Sequence, residues 1–91
     1  MPLAVDPKDP DEVLDYVIDW TARLGADTIV TSVWAIEDGT SVIDSNTFNG
    51  TSATVWLSGG ALGEKVLARN RVVTTGGRTM DQTISIKIKA K

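Results

Sequence analysis

The side chains best suited to chemistry are few in this 91-residue chain, which contains no histidine and no cysteine. Without histidine the commonest general base and the usual transition-metal ligand are missing, and without cysteine there are no thiolate sites and no disulfides. A serine or threonine nucleophile would need a lysine or a carboxylate as its base, and the many Ser and Thr residues lie where a strand favours them anyway. The residues therefore predict no catalytic site, no metal site and no cofactor.

Acidic residues are concentrated near the N-terminus and could in principle bind calcium. They are Asp6, Asp9, Asp11, Glu12 and Asp15. Their spacing lacks the glycine at the sixth position and the glutamate at the twelfth position of an EF-hand loop. We interpret them as solvated carboxylates of turns.

Basic residues gather on one predicted strand, where Arg69 and Arg71 share an outward face with Lys65, and Arg78 lies in the following hairpin. They could bind an acidic partner or a phosphate, or they could pair with carboxylates across the sheet. No aromatic residue interleaves with them as base stacking would require, which favours the second interpretation. Together with the formal net charge of −3, this predicts no nucleic-acid binding.

A glycine-rich segment, Gly59-Gly60-Ala61-Leu62-Gly63, is a poor match to a phosphate-binding loop. Such a loop needs Gly-Lys-Ser/Thr at the start of a helix, whereas here Glu64 and Lys65 lead into a strand. We predict a wide hairpin connection with Leu62 near its tip, available for contacts.

The three tryptophans could form a platform for stacking carbohydrates or could fill the core. Trp20 is in phase with Leu14, Tyr16 and Ile18, which places it in the core, whereas the phases of Trp34 and Trp56 are less decisive. A domain with so few aromatic residues needs them inside, so we predict that all three are buried.

Period-two alternation is the main structural signal. Ile84, Ile86 and Ile88 alternate with Ser85, Lys87 and Lys89 at the C-terminus. Similar patterns, separated by glycine-containing turns, predict strands over residues 13–24, 28–36, 41–48, 51–58, 65–75 and 79–90. This spacing predicts an all-β sandwich of about seven antiparallel strands, if one strand is split.

Two details of this pattern concern register and turns. Residues 28–36 carry apolar side chains on both faces, so this strand is either central or contains a bulge. Asp38-Gly39 predicts a turn with positive φ, and Asn49-Gly50 predicts a second turn of the same chemistry.

The proline-bearing N-terminus predicts an extended arm over residues 1–8, followed by the sandwich domain over residues 9–91. Leu3, Ala4 and Val5 have no obvious place in the core and could order on a neighbouring protein. No secretory signal and no apolar run long enough for a membrane span is found, which predicts a chain made in the cytosol that binds no membrane.

Several segments together resemble the fibre–tail adaptor proteins of tailed phages and prophages. These segments are 9–16, Trp20, 27–34, 55–60, and Asn70-Arg71 with Gly77-Arg78-Thr79. The resemblance covers the chain from about Lys8 onward and is most specific in Val-Trp-Leu-Ser-Gly-Gly at 55–60. It implies an immunoglobulin-like structural component of the virion, without activity, made in the host cytoplasm and placed at the neck or tail. It also implies contacts with other neck and tail proteins, and self-association around the symmetry axis of the particle.

Six residues are predicted to make protein contacts. They are Leu3, Val5, Leu62, Arg69, Arg71 and Arg78. The alternative function is a small β-sandwich accessory module that binds a ligand such as a carbohydrate, which would require exposed, coplanar tryptophans.

Overall fold

In the computed structural model, which describes residues 2–91, seven strands form two packed sheets. The elements are β1 (Leu3–Ala4), β2 (Leu14–Asp19), the helical turn α1 (Thr21–Leu24), β3 (Ile29–Asp38), β4 (Ser41–Phe48), β5 (Ser52–Gly59), β6 (Lys65–Thr74) and β7 (Thr79–Lys87). One sheet has the order β1-β7-β6-β3 and the other β2-β5-β4. Neighbouring strands are antiparallel except β1 and β7, which are parallel. The predicted all-β sandwich is confirmed.

The core lies between the two sheets and follows directly from the alternation. Every second residue of β5 and β6 is buried, while the intervening residues face outward. The buried apolar residues are Tyr16, Ile18, Trp20, Leu24, Ile29, Trp34, Ala53, Val55, Leu57, Val66, Ala68, Val72, Met80, Ile84, Ile86 and Ile88. Burial of each large aliphatic side chain contributes about 1.5–3 kcal/mol, so this layer is the main source of stability.

A buried hydrogen-bond network joins the two sheets through Asn70, which is fully buried at the centre of β6. Its Oδ1 accepts a hydrogen bond of 2.9 Å from Nε1 of Trp20, the residue that follows β2. Its Nδ2 donates to Ser32 Oγ at 2.9 Å and to the Val33 carbonyl at 3.1 Å on β3. One amide therefore satisfies polar groups of β3 and of the residue that follows β2, so its burial is compensated.

The predicted first strand, 13–24, is too long. Regular pairing with β5 ends at Asp19, and α1 follows, with the amides of Arg23 and Leu24 donating to the Trp20 carbonyl. Trp20 and Leu24 are buried as predicted. Their spacing of four residues fits both a strand and a helical turn, so the pattern could not distinguish the two. The Asp19 carboxylate accepts hydrogen bonds from the amide and hydroxyl of Thr21, which turns the chain out of the strand.

The mixed polarity of residues 28–36 comes from bulges. The register of β3 against β6 shifts between Ile29 and Thr31 and again between Ile36 and Asp38. Ile29 and Trp34 are both buried although five residues apart, which only a change of phase allows. The bulge interpretation is confirmed, and β3 is an edge strand of its sheet rather than a central one.

Two of the connections between consecutive strands pass from one sheet to the other. Gly39 has the predicted positive φ (95°), but β3 and β4 on either side belong to different sheets. The segment 60–64 likewise joins β5 to β6 in the other sheet, so the predicted hairpin connection there is wrong. At Asn49-Gly50 a hairpin does form, but Gly50 has no positive φ. The Asn49 Oδ1 instead accepts hydrogen bonds from the amides of Thr51 and Ser52.

The N-terminal arm is extended and lies against β7. Leu3 and Ala4 pair with Ile84 and Ser85, and the Val5 amide donates to the Ser85 carbonyl at 3.2 Å. The seventh strand is therefore this short β1 and not half of a split strand. Val5 packs against the core, contrary to the expectation that it has no place there, whereas Leu3 remains half-exposed.

Lys8 fixes the end of the arm. Its side chain is fully buried, and its Nζ donates to the carbonyls of Gly59 at 2.7 Å and Asp9 at 2.9 Å. Its backbone bridges Lys87 and Lys89 through hydrogen bonds of 2.9 Å each. Because a buried ammonium group is costly unless it is hydrogen-bonded, these contacts hold residue 8 in one place beside the last strand.

Candidate docking surface

The outward side of the β2-β5-β4 sheet carries a half-exposed tryptophan at its centre. Trp56 points outward from the middle strand and is 41% exposed, so the prediction that it is buried is wrong, while Trp20 and Trp34 are buried as predicted. Val17 pairs with Thr54, and Val42 with Ser58, which are the outward residues on either side of Trp56 along β5. The two valines are thus its diagonal neighbours, about 7–8 Å away.

We call this surface the tryptophan face: Asp15, Val17, Val42, Asp44 and Trp56. Both valines are more than half exposed, and Asp15 is directly opposite Trp56 in the register. Asp44 lies at the bulge of β4 and accepts a hydrogen bond of 2.9 Å from the Ser58 hydroxyl. Strands β2, β4 and β5 contain three aspartates and no lysine or arginine. The tryptophan face is therefore apolar at its centre and acidic around it.

The outward side of the other sheet has the opposite balance of charge. We call its free basic part the lysine face: Lys65, Leu67, Ser85 and Lys87. Lys65 and Lys87 are directly opposite each other on β6 and β7, and both are exposed. Within residues 2–91 neither forms an ion pair. Like charges directly opposite each other on paired strands repel, and no carboxylate among the described residues offsets the repulsion between these two lysines.

The predicted arginine patch is internally paired. Arg69 binds Glu37 of β3 at 2.7 Å, and Arg71 binds Asp81 of β7 through two hydrogen bonds of 2.8 and 2.9 Å. The hydrogen bonds and the positive charge of Arg71 lower the pKa of Asp81. These contacts correspond to the second interpretation of the sequence, cross-strand pairing.

Arg78 is separate from this pair and anchors the turn after α1. Its guanidinium donates to the carbonyls of Arg23 and Leu24 and to the Asp27 carboxylate. Hydrogen bonds from the Thr74 hydroxyl, from backbone amides and from Arg78 lower the pKa of Asp27 to about 2. The structure thus gives Arg78 a role within the fold.

The apolar contact residues predicted from the sequence lie apart from the tryptophan face. Leu62 is 67% exposed in the segment between β5 and β6, and Leu3 is 50% exposed on the arm. Val5 is partly buried against the core.

Among the acidic residues near the N-terminus, Asp9 and Glu12 make turn contacts, whereas Asp15 lies on β2 in the tryptophan face, so its assignment to a turn is wrong. Asp9 accepts hydrogen bonds from the amides of Asp11 and Lys91, which lower its pKa. Glu12 accepts a hydrogen bond from the Asp9 amide and pairs with Lys91 at 2.9 Å. Across the described residues, no group of three or more His, Cys, Asp or Glu residues could hold a metal ion.

A protein-family model described as podophage GP4 fiber-tail adaptor protein gp77 matches residues 8–87. The chain belongs to this family. The resemblance recognised in the sequence is thereby confirmed, and the family is that of a structural component of phage particles. No curated protein matches the chain. No helix in residues 2–91 has the length and apolar character to cross a membrane.

The tryptophan face of this adaptor was missed by sequence reasoning, although a signal for it was present. Trp56 alternates with Val55 and Leu57, which are both fully buried, so a regular strand must turn the indole outward. The general tendency of aromatic residues to be buried predicts the opposite, and in β5 the local phase overrides it. The neighbours of Trp56 on β2 and β4 could not be found from the sequence, because they depend on the pairing register.

Proposed function

We propose that this chain is a non-enzymatic structural adaptor of a phage or prophage-derived particle, located at the neck or tail and acting through protein–protein contacts. The observation that carries the proposal is the tryptophan face. Trp56 is a large aromatic side chain that the fold leaves half-exposed between two exposed valines. Exposed apolar patches of this kind are typical of interaction sites, and tryptophan is among the residues enriched in binding hot spots.

The sandwich is immunoglobulin-like in this proposal. The neighbour relations β2-β5-β4 and β7-β6-β3 correspond to the B-E-D and G-F-C strands of constant-type immunoglobulin domains. The buried Trp34 on β3 occupies the strand on which those domains carry their core tryptophan. In place of an inter-sheet disulfide, the chain has the hydrogen bond between Trp20 and Asn70.

The adaptor is made in the host cytoplasm, becomes part of the virion, self-associates around the particle axis and binds other neck or tail proteins. Contacts with those proteins are assigned to the arm and the exposed loop, through Leu3, Val5 and Leu62, and to the Arg69, Arg71 and Arg78 side chains. Neither nucleic acid nor membrane is a partner in this proposal. Support comes from family membership and from the exposure of Leu3 and Leu62.

Carbohydrate binding is less well supported. A stacking platform of the kind considered from the sequence needs exposed, coplanar tryptophans. Trp20 and Trp34 are 1% and 7% exposed, so only Trp56 presents its indole to a ligand. A half-exposed indole flanked by valines on the outward side of a sheet fits a flat protein contact better than a sugar site.

Particles produced with and without the gene test this function. We expect the chain to co-purify with wild-type particles and to be detected by mass spectrometry, and we expect particles lacking the gene to lose tail components and infectivity. Restoring the gene in trans should restore both. Complete, infectious particles without the chain would contradict an adaptor function.

The role of the arm is tested by deleting residues 2–7 and keeping Lys8. The buried contacts of Lys8 with Gly59 remain, so the fold should persist, as measured by circular dichroism, while incorporation into particles falls. Val30→Ser, which changes an exposed residue of β3 outside the arm, is the control and should be incorporated normally. Normal incorporation of the deletion variant would exclude a docking role for the arm.

A further inference from the structure

We propose that the tryptophan face of one copy of this chain docks on the lysine face of a second copy. This inference rests on the proposed adaptor function, since it names the occupant of the surface that carries that function. The two faces are on opposite sides of the sandwich, on the outward sides of different sheets. The tryptophan face has an apolar centre, and the lysine face places one half-buried leucine, Leu67, beside its two lysines. Among residues 2–91, both faces carry charges that form no ion pair.

Charge complementarity decides which surface meets the tryptophan face. Asp15 and Asp44 have no cation within ion-pair distance, and Lys65 and Lys87 have no carboxylate, within the part of the chain that the structure describes. Contact between the two faces would bring the aspartates of one copy toward the lysines of the next. It would also offset the repulsion between Lys65 and Lys87, which are directly opposite each other, with negative charge from the neighbouring copy.

The same charges disfavour a symmetric dimer through the tryptophan face. In such a dimer Asp15 and Asp44 of both copies would share one interface without any basic residue, and like charges across an interface are unfavourable. When the tryptophan face of one copy binds the lysine face of another, the pair still has one unoccupied tryptophan face and one unoccupied lysine face, to which further copies can bind. Such association either closes into a ring or extends as an open chain.

The size of the face predicts how strong this association is. Strands β4 and β5 have eight residues each and β2 has six, so the surface is at most about 26 Å long and about 14 Å wide, or about 370 Å². A stable protein–protein interface buries about 800 Å² on each partner. We therefore expect monomers at micromolar concentration and association at about 1 mM, with assembly in the particle favoured by high local concentration.

Charge reversal on each face tests the pairing. Asp15→Lys/Asp44→Lys makes both faces basic, and Lys65→Glu/Lys87→Glu makes both acidic. Each double variant alone should remain monomeric at about 1 mM in sedimentation velocity and NMR diffusion measurements, whereas wild type associates. An equimolar mixture of the two variants should associate again, because each basic face then meets an acidic one.

Controls and a direct readout of orientation accompany this test. Asp6→Lys/Asp11→Lys makes the same change in net charge as the aspartate variant, at two exposed positions outside both faces, and should associate like wild type. Because the chain has no cysteine, Ser45→Cys on β4 opposite Trp56 and Ser85→Cys on the lysine face can be cross-linked selectively. A short bismaleimide should join the two variants to each other when they are mixed, and neither variant to itself.

Three outcomes would overturn the inference. One is a wild-type protein that stays monomeric at about 1 mM with no concentration-dependent shift of the Trp56 indole resonance. Another is a symmetric dimer in which Ser45→Cys cross-links to itself, and the third is association that survives both charge reversals. If the chain nevertheless co-purifies with particles, the adaptor function stands and another protein occupies the tryptophan face. If it does not, the proposed function has failed independently.

Discussion

Removal of the Asn70 side chain should destabilise the fold more than any surface substitution. Asn70→Ala leaves Nε1 of Trp20 without its acceptor in a residue that is only 1% exposed. It also removes the two hydrogen bonds that Nδ2 of Asn70 donates to acceptors on β3. A buried donor without an acceptor costs about 1–3 kcal/mol, and the loss of packing adds to this. We therefore expect the free energy of unfolding to fall by about 2–4 kcal/mol. A domain of this length has a free energy of unfolding of about 5–13 kcal/mol. The variant should therefore fold but lose roughly a third of its stability.

The measurement is urea unfolding followed by far-ultraviolet circular dichroism, which reports the loss of the strands and does not require Trp20 as a fluorophore. With an m value of about 1.5 kcal/mol/M, the midpoint should fall by about 2 M. Trp20→Phe removes the other partner of the hydrogen bond, and the double variant should cost about 1–2 kcal/mol less than the sum of the two single variants. Ser32→Ala, which removes one acceptor at a partly exposed position, is the matched control and should cost about 1 kcal/mol or less. A loss below about 1 kcal/mol for Asn70→Ala, or strict additivity in the cycle, would refute the reasoning.

Three further predictions concern exposure, pH and a turn. Trp56 should account for nearly all tryptophan fluorescence that iodide quenches, so Trp56→Phe should leave the remaining emission almost unquenched; equal quenching in wild type and variant would contradict its exposure. The pKa of Asp27, held at about 2 chiefly by the Thr74 hydroxyl, lies below its unfolded value of 3.8, so its stabilisation is present above pH 3.8 and is lost as the pH falls through 2. Asp27→Asn should therefore be less stable than wild type at pH 6 and nearly equal to it at pH 2 in urea titrations, and a gap independent of pH would exclude this linkage. Gly39→Ala should lower the thermal midpoint by several degrees, because the φ angle of Gly39 is 95° and an added Cβ would lie 2.8 Å from Cγ2 of Val66. An unchanged thermal midpoint would show that the turn relaxes without cost.

The fold could be predicted to a large extent because strand alternation is a local property. The buried residues Val66, Ala68 and Val72 follow from their spacing alone, and so does the outward direction of Lys65 and Arg71. The errors fall where spacing is ambiguous. A four-residue interval between Trp20 and Leu24 satisfies a strand and a helical turn equally, and only the pairing of β2 with β5 shows where the strand ends.

The partners of the charged residues could be predicted only in kind. The sequence predicts that arginines on an outward strand face either bind a partner or pair across the sheet. It does not identify Glu37 and Asp81 as the carboxylates that pair with them, because that depends on the register of β6 with β3 and β7. Lys8 is a clearer case. Its neighbours in the sequence do not indicate that this lysine of the arm is fully buried, because one of its two acceptors, the Gly59 carbonyl, is 51 residues away.

The sequence by itself determined the class of fold, the absence of histidine and cysteine chemistry, and the phage adaptor family. These follow from composition, from period-two alternation and from short motifs, all of which are readable without knowing which strands meet. The tertiary structure decided that Trp56 stands between Val17 and Val42 on an acidic face, and that Lys65 and Lys87 face each other on the opposite side. The physical reason is that a strand fixes which side a residue points to, whereas the neighbours of that residue are fixed by pairing with strands that are remote in the chain.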